Sequence, residues 1–116
     1  MNIRIWCEFA KPAEVCNPNV LGVLKEYDIT LNYRLGYGEN DADFYKMLEV
    51  YNENKIPVSI WPTLPDEMGY WINERNAIDF HNYIKKLLDD IEKRGLNIRG
   101  ICIDMESPLK DIKRIV

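Results

Sequence analysis

The chain has 116 residues, 47% of them hydrophobic and 29% charged, with a net charge of −4. That length allows one domain at most, the apolar fraction excludes a disordered chain, and an acidic balance without a basic cluster argues against a nucleic-acid partner. No apolar run approaches the ~20 residues of a membrane span, and three widely spaced cysteines (Cys7, Cys16, Cys102) fit neither a disulfide framework nor a zinc site, which leaves buried thiols.

The first element is a strand over Ile3–Phe9, whose period of two puts Ile3, Ile5, Cys7 and Phe9 on one face and Arg4, Trp6 and Glu8 on the other. Asn17-Pro18 then gives a helix start, with Asn as N-cap and Pro at the first helical position. Val20, Leu21, Leu24 and Tyr27 supply its apolar stripe. A second strand over Ile29–Leu35 sets Ile29, Leu31 and Tyr33 against Thr30, Asn32 and Arg34, and Gly36-Tyr37-Gly38 breaks it. From Asp41 a helix runs to about Asn54, with Phe44, Met47, Leu48 and Tyr51 at helical spacing.

Pro57–Trp61 reads as a third strand, with Val58 and Ile60 opposite Ser59 and Trp61. Pro62–Arg75 is a long loop that carries Tyr70 and Trp71. Asn76, with Asp79 three residues on, predicts a capping-box start for a helix whose stripe is Phe80, Ile84, Leu87, Leu88 and Ile91. Gly95 ends it after Lys93-Arg94. The fourth strand, within Arg99–Pro108, puts Ile101, Ile103 and Met105 on one face and Cys102, Asp104 and Glu106 on the other. Residues two apart on a strand have Cα atoms ~6.6 Å apart on the same face, so Asp104 and Glu106 form a carboxylate pair at the strand's carboxyl end. Leu109–Val116 opens a further helix.

Strands and helices alternate, so parallel strands with right-handed crossovers are expected, in a single α/β domain over 1–116. Each strand has one aliphatic and one polar or aromatic face, unlike the doubly apolar central strands of a doubly wound sheet. Helices on one side and polar side chains on the other describe a barrel wall. The expected fold is therefore a parallel four-stranded (β/α)4 unit, the amino-terminal half of a TIM-type (β/α)8 barrel and a fragment of a longer catalytic domain. A self-contained four-stranded α/β domain is the alternative.

The segment Arg99-Gly-Ile-Cys-Ile-Asp-Met-Glu106 resembles the fourth-strand motif of the chitinase-like family 18 glycoside hydrolases, D-G-x-D-x-D-x-E. Gly100, Asp104 and Glu106 match, while Arg99 and Cys102 stand where that motif has acids. The resemblance implies a barrel in which Glu106 is the general acid that protonates the glycosidic oxygen. It also implies that Asp104 orients and charge-stabilises the substrate's N-acetyl group, the substrate-assisted exception to the two-carboxylate scheme. The residues alone support similar chemistry, since burial beside Asp104 would raise the pKa of Glu106 into the range of a general acid while Asp104 stays ionised.

Trp6, Glu8, Arg34, Trp61 and Trp71 are the candidate substrate-binding residues. Aromatic rings suit the apolar faces of sugars; the alternative is that Trp6 and Trp61 fill the interior and Trp71 pins its loop. Glu8 is either a third acid at the mouth or the ion-pair partner of Arg34. His81, the only histidine, is expected in solvent, so no Ser-His-Asp arrangement is available. The functional expectation is a glycoside hydrolase acting on a polysaccharide or amino-sugar glycan, with no cofactor. The alternatives are a carbohydrate-binding barrel without turnover and a divalent-metal hydrolase using Glu8, Asp104 and Glu106. Unpaired edge strands imply a homodimer or a missing carboxyl-terminal half-barrel as partner. Free thiols favour the cytoplasm; secretion would require that a signal peptide had been removed.

Overall fold

The computed structural model describes residues 3–104. Its centre is a four-stranded sheet in the order β1-β2-β3-β4, formed by β1 (Ile3–Cys7), β2 (Ile29–Gly36), β3 (Val58–Thr63) and β4 (Gly100–Ile101). Every neighbouring pair is parallel, so the α/β order expected from the alternation is the one found. The connections hold α1 (Pro12–Val15), α2 (Pro18–Glu26), α3 (Ala42–Glu53) and α4 (Ala77–Lys93).

One apolar core joins the helices to one sheet face. Leu31, Tyr33, Val58 and Ile60 of the strands pack with Val15 of α1, Leu24 of α2, Phe44, Met47, Leu48 and Tyr51 of α3, and Leu87 and Ile91 of α4. Burying these side chains is the main stabilising term, at roughly 1.5–3 kcal/mol for each large aliphatic or aromatic group. Tyrosine hydroxyls tie the layer together: Tyr51 donates to the Val15 carbonyl at 2.8 Å and Tyr33 to that of Ala10 at 3.0 Å. Both bonds satisfy polar tips that burial would otherwise penalise.

The opposite face is polar and still largely shielded. Thr30, Asn32, Ser59 and Thr63 are buried there, as the alternation predicts. Register places Trp6 opposite Asn32, and Arg34 opposite Trp61. Ser59 lies opposite Gly100, and the Cys102 amide donates to the Ile60 carbonyl at 2.8 Å, so Cys102 and Asp104 continue the polar row past β4.

Several local expectations are corrected. β1 stops at Cys7, and only Ile3 and Cys7 of its expected core face pack against the core, both partly buried, whereas Ile5 is 42% and Phe9 86% exposed. Tyr27 is an exposed C-cap residue outside the stripe of α2, and Leu88 stays partly exposed. Helix α1 was not expected; Glu14 accepts from the Lys11 amide at 3.4 Å at its start. β3 runs on through Pro62 and Thr63. Asn17 and Asp41 do cap their helices, accepting from the amides of Asn19 and Phe44. The three cysteines are free thiols but only partly buried. Glu106 and Leu109–Val116 lie outside the described residues.

Candidate functional site

The carboxyl ends of parallel strands are where α/β proteins bind ligands, because the loops there leave a crevice above the sheet. Here the segment after β3 builds that end. It folds as a 3₁₀ turn over Asp66–Met68, then Gly69 at φ 103° and Tyr70 at φ 63° reverse the chain. A left-handed conformation at a bulky residue such as Tyr70 costs of order 1–3 kcal/mol and has to be held by its surroundings. Two backbone bonds hold it: the Leu64 amide donates to the Tyr70 carbonyl at 2.8 Å, and the Tyr70 amide to that of Pro65 at 3.2 Å.

Asn76 secures the far side of the same loop. The expected capping box is absent, for the Asn76 side chain makes no cap bond to the first turn of α4. Instead its oxygen accepts from the Asn73 amide at 2.9 Å. Its nitrogen donates to the carbonyls of Met68 at 2.8 Å and Trp71 at 2.9 Å. Asn73 Nδ2 adds a bond to the Trp71 carbonyl at 3.2 Å, and Asn73 Oδ1 accepts from the Arg75 amide at 2.9 Å. Both asparagines are buried, so the loop has a polar core of its own.

The result is a cleft of about 710 Å³ beside Glu8, Phe9, Tyr70 and Trp71, with Asp66, Glu67, Arg75 and Asp79 around it. Phe9 is almost fully exposed, and Tyr70 and Trp71 stand edge to face with ring centroids 5.1 Å apart. Their rings offer apolar walls, and the carboxylates offer hydrogen-bond acceptors. That combination suits a ligand with both hydroxyl groups and apolar C–H faces.

Glu8 and Arg34 do not form the ion pair considered from sequence. Tyr70 stands between them: its hydroxyl donates to Glu8 Oε1 at 2.9 Å, and the Arg34 guanidinium lies 5.4 Å from its ring centroid. Arg34 Nε donates instead to Thr63 Oγ1 at 3.1 Å. Burial and the Glu8 hydrogen bond push the Tyr70 hydroxyl above its ordinary pKa, so it remains a donor across the physiological range. Tyr70 is thus the residue that assembles this end of the site.

The structure divides the residues expected to share a site. Glu8 and Trp71 line the cleft, and Arg34 reaches it through Tyr70. Trp6 and Trp61 pair edge to face on the polar sheet face, with centroids 5.2 Å apart, and do not line it; Trp61 is buried and Trp6 is 55% exposed. Asp104 is partly exposed beyond β4 and is not a lining residue either. Glu106 is outside the described residues. Among the described residues no group of three or more His, Cys, Asp or Glu side chains could hold a metal ion, and no helix is long and apolar enough to cross a membrane. His81 is exposed, as expected.

Asn73, Asn76 and Tyr70 were missed as site residues. The run of Gly69, Asn73 and Asn76 in one loop was the available signal, because glycine supplies positive φ and asparagine bonds local backbone. Comparison of the chain with protein-family models, with curated proteins and with solved structures finds no match.

Proposed function

We propose that the chain forms the amino-terminal half of a (β/α)8 barrel that cleaves glycosidic bonds in a polysaccharide or amino-sugar glycan. The observation that carries the carbohydrate reading is the cleft at the carboxyl end of the parallel sheet, where Phe9, Tyr70 and Trp71 stand among carboxylates. Rings of this kind stack on the C–H faces of a pyranose, and Glu8, Asp66 and Asp79 accept hydrogen bonds from its hydroxyls. The one-sided helix layer and the polar opposite face support the barrel reading.

In the proposed reaction Glu106 protonates the glycosidic oxygen as the bond to the anomeric carbon breaks, and water then adds to that carbon and returns a proton to Glu106. Asp104, two residues before it in the sequence, stabilises the positive charge that develops on the sugar or on its N-acetyl group. The test is release of reducing ends from a panel of soluble oligosaccharides. Wild-type hydrolysis that falls at least ~100-fold in Glu106→Gln, with the fold retained, supports this assignment. Hydrolysis unchanged in Glu106→Gln refutes it.

A second reading is a carbohydrate-binding barrel without turnover. It is favoured by Cys102, which occupies the polar row between Gly100 and Asp104 and supplies no carboxylate there. On this reading the chain binds oligosaccharides without cleaving them, and Cys102→Asp gains hydrolysis.

A further inference from the structure

A second hollow adjoins the cleft beside Trp71. It encloses about 530 Å³, within the range of ligand-binding clefts, and lies between Tyr37 after β2 and the residues Asp79, Asn82, Tyr83 and Lys86 of α4. These four are spaced i, i+3, i+4 and i+7, so they form one stripe along the helix, ~10 Å long at ~1.5 Å per residue. Met68 and Asp79 line both the hollow and the cleft, which makes the two contiguous.

The aromatic wall of the hollow is held in place from behind. Tyr37 is 54% exposed, and its ring centroid lies 5.1 Å from that of Tyr83. Tyr83 is anchored in turn, because its hydroxyl donates to the Gly36 carbonyl at 3.2 Å. The turn that presents Tyr37 is closed by two bonds. The Glu39 amide donates to the Gly36 carbonyl at 3.0 Å, and the Gly36 amide donates to Glu39 Oε2 at 3.1 Å. Gly38, at φ 78°, supplies the left-handed residue that the turn requires. An aromatic ring ordered in this way before a ligand arrives lowers the cost of binding.

The hollow repeats the chemistry of the cleft. Each has an exposed aromatic ring beside carboxylate and amide groups, and Lys86 adds a cationic donor here. A single small ligand needs only one such site. Two contiguous sites of like chemistry fit a ligand that repeats its own chemistry along its length, as a chain of sugar rings repeats its C–H faces and hydroxyls. Resting on the carbohydrate reading of the cleft, we infer that the hollow is a further subsite of it. A glycan chain bound at Trp71 continues past Met68 and Asp79 and lays a sugar ring on Tyr37, where Asn82 and Lys86 bond its hydroxyls. Asp79, at the junction, accepts from sugars on both sides. The protein therefore selects for chain length.

The test is calorimetric titration of the full chain with N-acetylglucosamine oligosaccharides, from the disaccharide to the hexasaccharide. Affinity is expected to rise with length. Tyr37→Ala is expected to weaken hexasaccharide binding roughly 3- to 10-fold, the size of one aromatic contact, and to leave the disaccharide unchanged. Tyr37→Phe keeps the ring and should bind both like wild type, whereas Trp71→Ala should weaken both. Circular dichroism checks that each variant folds; Tyr37 is exposed, so its replacement leaves the core intact. Hexasaccharide binding untouched by Tyr37→Ala but weakened by Trp71→Ala overturns the subsite and leaves the carbohydrate reading of the cleft standing. A loss in Tyr37→Ala that is equal for both lengths does the same. No binding at any length overturns that reading, and the subsite with it.

Discussion

Asn76 separates two accounts of the loop above the sheet. If it were an ordinary helix N-cap, Ser or Asp would replace it at almost no cost, since all three cap about equally well. As a loop staple it cannot be replaced by either. Its three hydrogen bonds, at 2.9, 2.8 and 2.9 Å, join Asn73, Met68 and Trp71 from a site only 5% exposed. At about 1 kcal/mol net for each bond, with partial rehydration of Met68 and Trp71, Asn76→Ala should cost about 2–3 kcal/mol. Asn76→Ser reaches fewer of these partners and should cost nearly as much. Asn76→Asp keeps the acceptor for Asn73 but sets a carboxylate oxygen against two carbonyls, so it should be at least as damaging as Ala. Denaturant unfolding of the three variants gives the totals, and hydrogen exchange locates the loss in residues 64–76. Asn76→Ser and Asn76→Asp both within about 0.5 kcal/mol of wild type, as surface changes usually are, would refute the staple.

Other outcomes follow from the same geometry. Gly95 ends α4 at φ 68° with nothing within 4 Å of where a Cβ would stand, so Gly95→Ala carries a purely backbone cost of about 1 kcal/mol in thermal or denaturant unfolding. Burial pushes the Tyr33 hydroxyl up to about 12, so the folded chain keeps a proton that the unfolded chain releases above its ordinary value of 10. Stability from this group is therefore full below pH 10 and is lost as pH rises through about 12. Tyr33→Phe should flatten that alkaline decline in part, leaving the share of Tyr51 and Tyr83, which are raised in the same direction. An alkaline slope unchanged in Tyr33→Phe would contradict the assignment.

What was legible in the sequence is what period and caps encode. Alternation at Ile29–Leu35 and Val58–Trp61 gave the two central strands and the sides on which their residues lie, because a buried strand tolerates no slip of register. Phe44, Met47, Leu48 and Tyr51 gave the buried face of α3 for the equivalent reason. The edge strand was different. Ile3–Phe9 has the same alternation, yet covering Ile5 and Phe9 takes packing partners that alternation cannot report. Asn76 and Tyr70 were misread or overlooked because their roles depend on contacts distant in sequence: Asn76 bonds back to Met68, and Tyr70, after β3, reaches Glu8, which follows β1 two strands away. An Asn before a helix looks the same in sequence whether its side chain caps or staples.

The central claim is that the cleft beside Trp71 receives a carbohydrate. The most direct measurement is a titration with soluble amino-sugar oligosaccharides followed by two-dimensional NMR of the three tryptophan indole N–H groups, Trp6, Trp61 and Trp71. The prediction is a saturable shift of the Trp71 indole and of backbone amides at Phe9 and Tyr70, with Trp6 and Trp61 little changed and binding lost in Trp71→Ala. A response confined to residues outside the cleft, or none at all with oligosaccharides of several sizes and charges, would contradict the carbohydrate account.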